Sequence, residues 1–189
     1  MEKALIISAS EKGAAAFSES LHSSFTYQIT VIQSCGEARR ALVDQDFDLV
    51  IINAPLRDES GENLALYIAS KGISQVILVV KSEFHEAVSA ICEGEGILTI
   101  AKPIHKGVFW SALSLARAAR NRMAKMQNEN ARLKQKIEDI RIVDRAKCIL
   151  ISYMNMSETE AHRYIEKQAM DMRSTKRTVA EGVLRTYEN

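Results

Sequence analysis

An α/β sheet unit followed by an all-α tail is the fold this 189-residue sequence predicts. Three observations predict it. Five short apolar runs alternate with amphipathic stretches over residues 1–107. No Gly or Pro interrupts residues 108–153, and apolar residues recur there with a heptad period. A capping sequence, Ser157-Glu158-Thr159-Glu160, then opens a further helix.

The runs at 4–7, 29–32, 49–52, 76–80 and 97–100 are rich in β-branched residues. Strands buried on both faces read as near-continuous apolar segments. Helical patterns near 11–23, 36–45, 60–71 and 83–93 lie between them. That alternation implies a parallel sheet with helices on both faces, and right-handed crossovers make it doubly wound. Such sheets place their functional crevice at the carboxyl ends of the strands. The crevice residues expected here are 8–10, 53–57, 80–81 and 102–103, with Ser8, Ser10, Asn53, Val80 and Lys102 foremost.

From Ala116 the apolar spacing alternates three and four. Positions 116, 123, 130 and 137 are a, and 119, 126, 133 and 140 are d. A 3.5-residue period keeps one seam facing a partner helix, so residues 108–140 are expected to form a coiled coil. Met126, Leu133 and Ile137 line the seam, and Asn130 fills its one polar a position. A polar a residue costs stability and pairs with its own copy, which favours a parallel homodimer. Glu129 can meet Lys134 of the other chain, whereas Lys136 and Arg141 repel. The competing reading is one long amphipathic helix packed on its own domain. Sustained heptads favour the dimer.

Ser157 as N-cap and Glu160 at the third helical position form a capping box. The helix it opens has an apolar face of Ala161, Tyr164, Ile165, Gln168 and Ala169. A second cap at Ser174 or Thr175 starts a last helix through Val179, Val183 and Leu184. Residues 137–189 therefore form a small three-helix domain. A domain of this size is marginal alone, so attachment to a dimeric stalk makes physical sense.

Residues 1–107 hold 9 Lys and Arg against 14 Asp and Glu, a net of −5; residues 108–189 hold 16 against 10, a net of +6. A basic tail suits a polyanion. No signal sequence or apolar run of membrane-spanning length is visible. Three scattered cysteines without a CxxC fit reduced thiols in a cytoplasmic protein. The four histidines show no metal-ligand spacing. Gly94-Glu95-Gly96 is no phosphate cradle, and Asp44-Gln45-Asp46-Phe47-Asp48 lacks the glycine and terminal Glu of a calcium loop. Neither an enzyme, a cofactor nor a metal site is expected.

Lys102-Pro103 after the fifth run, and Asp48-Leu49-Val50-Ile51-Ile52-Asn53 leading to Gly61, resemble the receiver domain of bacterial response regulators. The resemblance implies a flavodoxin-like sheet. It also exposes departures. Receivers carry an acidic pair for Mg²⁺ where Ser8, Ala9 and Ser10 stand, and a phosphoacceptor aspartate where Asn53 stands. Val80 occupies the hydroxyl position, Thr99 the aromatic switch position, and Pro55 comes early. An acyl phosphate needs a carboxylate nucleophile and a hard-oxygen metal site. Glu11 and Asp58 are the substitutes to consider, and they read better as surface charges. Lys102 is expected to pack its stem in the crevice and bond Asn53 or a carbonyl. The expectation is a pseudo-receiver without phosphotransfer, taking a protein or small-molecule input.

Three further blocks carry a second resemblance. Asp144-Arg145-Ala146-Lys147-Cys148-Ile149-Leu150, Met156-Ser157-Glu158-Thr159-Glu160-Ala161, and Ala169-Met170-Asp171-Met172-Arg173 with Val179-Ala180-Glu181 are similar to the ANTAR domain of transcription antiterminators. Cys148 stands where that family usually has glycine. The resemblance implies binding to paired RNA hairpins in a leader transcript, one for each domain of a dimer. Splayed loop bases are readable where A-form grooves are not. The candidate contacts are Arg141, Asp144, Arg145, Lys147, Arg173, Lys176 and Arg177. Lys147 is favoured over Arg145, which lies about 200° around the same helix. The alternatives are a protein-interaction adaptor built on the pseudo-receiver dimer, and an atypical phosphorylated response regulator.

Overall fold

The computed structural model describes residues 2–22, 26–72 and 74–187. Met1 of the expected 1–107 unit, Ser23 at the end of the first helical pattern, and the last two residues of the expected 137–189 domain lie outside them. The chain divides into two compact units, one running to Ala124 and the other from Lys125.

The first unit is a five-stranded sheet. Its strands are β1 (Glu2–Ser8), β2 (Tyr27–Ile32), β3 (Leu49–Asn53), β4 (Gln75–Lys81) and β5 (Leu98–Lys102). Every pairing is parallel, in the order β2-β1-β3-β4-β5. This is the doubly wound order of the flavodoxin-like fold. The connecting helices are α1 (Glu11–His22), α2 (Cys35–Asp44), α3 (Glu62–Ser70) and α4 (Ser82–Cys92).

Alternation along the strands divides the apolar residues between two cores. Leu5, Ile7, Val50, Ile52, Val76 and Leu78 face α2, α3 and α4. Ala4, Ile6, Leu49, Ile51, Ile77 and Val79 face α1 and the first turns of the next helix. Gly61, the N-cap of α3, has φ +95°, and a Cβ there would lie 3.0 Å from Ile52 Cγ2. Only glycine satisfies both the backbone and the space.

The long helix α5 spans Lys106–Met154, 49 residues. It begins two residues before the uninterrupted stretch, with Gly107 in its first turn. Phe109, Leu113 and Ala116 are buried in the sheet unit, and Phe109 meets Phe17 of α1 with ring centroids 5.4 Å apart. Arg120 pairs with Glu2 at 3.5 Å and with Asp48. Ala116, expected as the first a position, is therefore occupied by its own sheet. Small side chains at 112 and 116 let the helix approach that sheet closely. Beyond it the seam residues Met126, Leu133, Ile137 and Ile140 are 53–60% exposed.

The second unit contains the end of α5 with α6 (Glu158–Asp171) and α7 (Lys176–Tyr187). Its core is Ala146, Leu150, Ala161, Ile165, Ala169, Val179, Ala180 and Val183, with Met156 and Tyr164 partly buried against it. The expected capping box is present. Ser157 Oγ accepts from the Glu160 amide at 3.3 Å, and Glu160 Oε2 accepts from the Ser157 amide at 2.8 Å. Of the two caps considered for α7, Thr175 serves: its Oγ1 accepts from the Thr178 amide at 3.1 Å. Asn155 ends α5 in the left-handed region at φ 51°, where a short polar side chain is tolerated.

Candidate nucleic-acid interface

The strand ends bring Ser8, Ser10, Asn53 and Lys102 to one end of the sheet, where the first three bond among themselves. Ser8 Oγ donates to the Ser10 carbonyl at 2.9 Å and accepts from Asn53 Nδ2 at 3.0 Å. Asn53 Oδ1 is buried with no hydrogen-bond partner among the described residues. A Cβ on Gly13 would lie 2.6 Å from Asn53 Nδ2, so glycine makes room for the amide. Of the two partners expected for Lys102, the structure selects a carbonyl: its Nζ donates to Ala54 O at 2.5 Å. Burial, and then the neighbouring Lys81, hold its pKa below the usual lysine value. Val80 is buried in the core and Thr99 Oγ1 donates to Ser89 Oγ at 2.9 Å.

Asp58 is bonded to a helix end rather than to the crevice. Its two oxygens accept from the Cys35 and Gly36 amides at 3.0 and 2.9 Å, capping α2. Those backbone donors hold its carboxyl below the usual range. Cys35, Asp58 and Glu59 have ligand atoms within 4.8 Å of one another, but both carboxylates are committed elsewhere. Burial, then Asp58, pushes the Cys35 thiol up to about 11. Glu59 forms a two-pronged bond to Arg39 at 2.7 and 3.0 Å.

In the second unit most of the expected contacts are held by ion pairs. Lys147, with a side chain only 16% exposed, bonds Asp144 at 2.8 Å and Glu158 at 3.5 Å. The Asp144 hydrogen bond chiefly raises its pKa. It thus ties α5 to the first turn of α6. Lys176 bonds Glu166 at 2.5 Å, joining α7 to α6. Arg177 bonds Asp139 and Glu181, both at 2.8 Å, joining α7 to α5. Arg141 has a loose pair with Glu138 at 4.0 Å. Arg145 lines an open concavity of about 550 Å³ together with Arg141, Asp144, Cys148 and Ser152. Arg173 is exposed at the left-handed turn after α6, with φ 49°. The seven positions are therefore not one cluster. Arg141, Asp144 and Arg145 share a face of α5, while Lys147, Lys176 and Arg177 brace the helices.

Two cations outside that set, Arg163 and Lys167, stand exposed on α6. Their signal in the sequence is a four-residue spacing that puts them on one face. Only the packing shows which carboxylates reach that face.

The ANTAR domain family model matches residues 131–184. The transcriptional regulatory protein PdtaR of Mycobacterium tuberculosis is 30% identical over 139 residues, which cover 74% of this chain and 68% of that protein. The aliphatic amidase regulator of Pseudomonas aeruginosa is 26% identical over 141 residues, covering 75% and 72%. The signal receiver domain of an HD domain-containing protein from Pseudomonas fluorescens superposes with a TM-score of 0.57 at 21% identity, covering 66% of this chain and 92% of that one. A CheY-like receiver domain protein from Methanospirillum hungatei gives 0.56 at 16% identity, covering 65% and 98%. These two structures share the fold of the sheet unit. No helix among the described residues is long and apolar enough to cross a membrane. With a receiver fold, an ANTAR match in the second unit and a regulator as a 30% identical relative, the chain belongs to the ANTAR-domain response-regulator family of transcription antitermination regulators.

Proposed function

We propose that this protein is a cytoplasmic RNA-binding antiterminator that works as a parallel coiled-coil dimer through a receiver-like domain that takes no phosphoryl group. The observation that carries the reading is an exposed heptad seam leading directly into the ANTAR-type unit. Met126, Leu133, Ile137 and Ile140 are more than half exposed in the single chain, and pairing two copies removes that surface from water. Asn130 pairs with its own copy and sets the register. The dimer then presents two reading units, one for each of two RNA hairpins. Bound hairpins are stabilised against the competing terminator, so transcription continues.

RNA recovered by cross-linking to the full chain and sequenced tests the reading. Hairpin RNA is expected, with affinity falling steeply as salt rises because Lys and Arg contacts release counterions. Recovery of proteins without RNA favours the adaptor alternative instead.

Phosphotransfer is the second expectation. An amide is a far poorer nucleophile than a carboxylate, and the crevice lysine is engaged by the Ala54 carbonyl. Acetyl phosphate with Mg²⁺ is expected to leave the protein's mass unchanged. One phosphoryl group on any aspartate of residues 1–107 overturns this.

A further inference from the structure

We infer that the face of α6 bearing Arg163, Tyr164 and Lys167, with the Asn155 turn beside it, is a loop-reading surface for RNA, an inference that rests on the RNA-binding function proposed above. An open concavity of about 440 Å³ lies there, lined by Asn155, Met156, Glu160, Arg163, Tyr164 and Lys167 among others. The concavity is shallow and open to solvent, which leaves a splayed base free to approach it.

The charge arrangement of α6 is two-sided. Toward α7, Glu166 is taken by Lys176 and by His162 at 3.2 Å. On the other face Arg163 and Lys167 have no ion pair or side-chain hydrogen bond among the described residues, and both are exposed. They are one turn apart, about 6 Å along the axis, so both can meet one strand of backbone. Glu160, one turn before Arg163, is turned to the cap: its Oε2 accepts from the Ser157 amide and hydroxyl, both at 2.8 Å. Asp171, one turn after Lys167, makes no ion pair with that lysine. The cations with no carboxylate partner keep their full charge for phosphate, whereas Lys147, Lys176 and Arg177 must first break an ion pair.

The remaining groups suit bases rather than phosphates. Asn155 is exposed in a left-handed turn, and its side-chain amide has no hydrogen-bond partner among the described residues. An amide can give and take a hydrogen bond at one base edge. Tyr164 is half-buried, fixed by the core on one side and bordering the concavity on the other. Single-stranded bases stack on such rings, while A-form duplex offers none of these edges. A hairpin loop is the occupant that combines backbone charge with open bases.

The test uses the full-length chain and a library of RNA hairpins with randomised loops carrying 4-thiouridine. Photo-cross-links are expected on peptides containing Met154 to Met156 or Tyr164. On RNA selected by the wild type, Arg163→Ala and Lys167→Ala should each weaken binding roughly tenfold, as for a charged hydrogen bond. Each should lower the salt slope by about one, and Lys167→Arg should restore it. Asn155→Gly keeps the left-handed turn and should relax the loop sequence selected. Unchanged circular dichroism and sedimentation exclude a folding defect. If the wild type selects hairpins and both alanine variants bind like it, this face is not the reader and the proposed function stands. If the wild type selects no RNA, the function fails and takes this surface with it.

Discussion

Met126→Glu is expected to turn the proposed dimer into a monomer. Met126 is a d position, 53% exposed in the single chain. In a parallel pair the two copies of a d residue face each other, so the substitution buries two like charges with no partner, which costs several kcal/mol. Sedimentation velocity at tens of micromolar reads the result, and affinity for a paired-hairpin RNA should drop with it, because the two reading units lose their linkage. The sheet unit should be untouched, since Met126 lies beyond Ala124 where that unit ends. Asn130→Leu should act oppositely, raising stability while admitting other oligomers. A variant Met126→Glu that sediments as the wild type does removes the coiled coil from the account.

Ile165→Ala should unfold the second unit while leaving the sheet unit folded. Ile165 is 1% exposed, packed among Ala146, Leu150, Ala161, Val179 and Val183. Truncating a buried isoleucine costs about 2–5 kcal/mol through lost burial and the cavity left behind. That is most of the stability a unit this small can hold. Trp110, the protein's one tryptophan, is in the sheet unit. Its fluorescence transition should stay at the wild-type temperature while part of the helical circular dichroism is lost earlier. A single transition in which both signals shift together overturns the independence of the two units.

The fold was legible because its signals are local. Five strands appear where five β-branched runs stand, each within two residues of the expected ends. A buried parallel strand cannot tolerate polar residues on either face, so composition alone marks it. The capping box at Ser157 and Glu160 was equally legible, since its two hydrogen bonds join residues three apart. The long helix was legible as a helix, but not where its partner changes. Ala116 fits the heptad and yet packs on β-strands far away in sequence. A small apolar residue serves a coiled-coil seam and a helix-on-sheet contact equally well, so its spacing does not distinguish them.

The proposed reading surface was legible least. Lys147 stood out as a cation within a family motif, Lys176 and Arg177 as cations at the start of the last helix, and each is matched to a carboxylate 3 to 38 residues away. Arg163 and Lys167 look no different in the sequence, and two acids close to them on the helix, Glu160 and Glu166, are drawn off by Ser157 and Lys176. The sequence by itself determined the sheet, the heptad, the capping box and the absence of carboxylates at Ser8, Ser10 and Asn53, because those depend on residue type and near-neighbour spacing. Only the tertiary structure decided that Lys102 bonds the Ala54 carbonyl, that Asp58 caps α2, and which cations keep their charge unpaired. Those outcomes depend on which side chains long-range packing brings within hydrogen-bonding distance, roughly 2.7–3.2 Å between heavy atoms, beyond which the bond weakens and is lost.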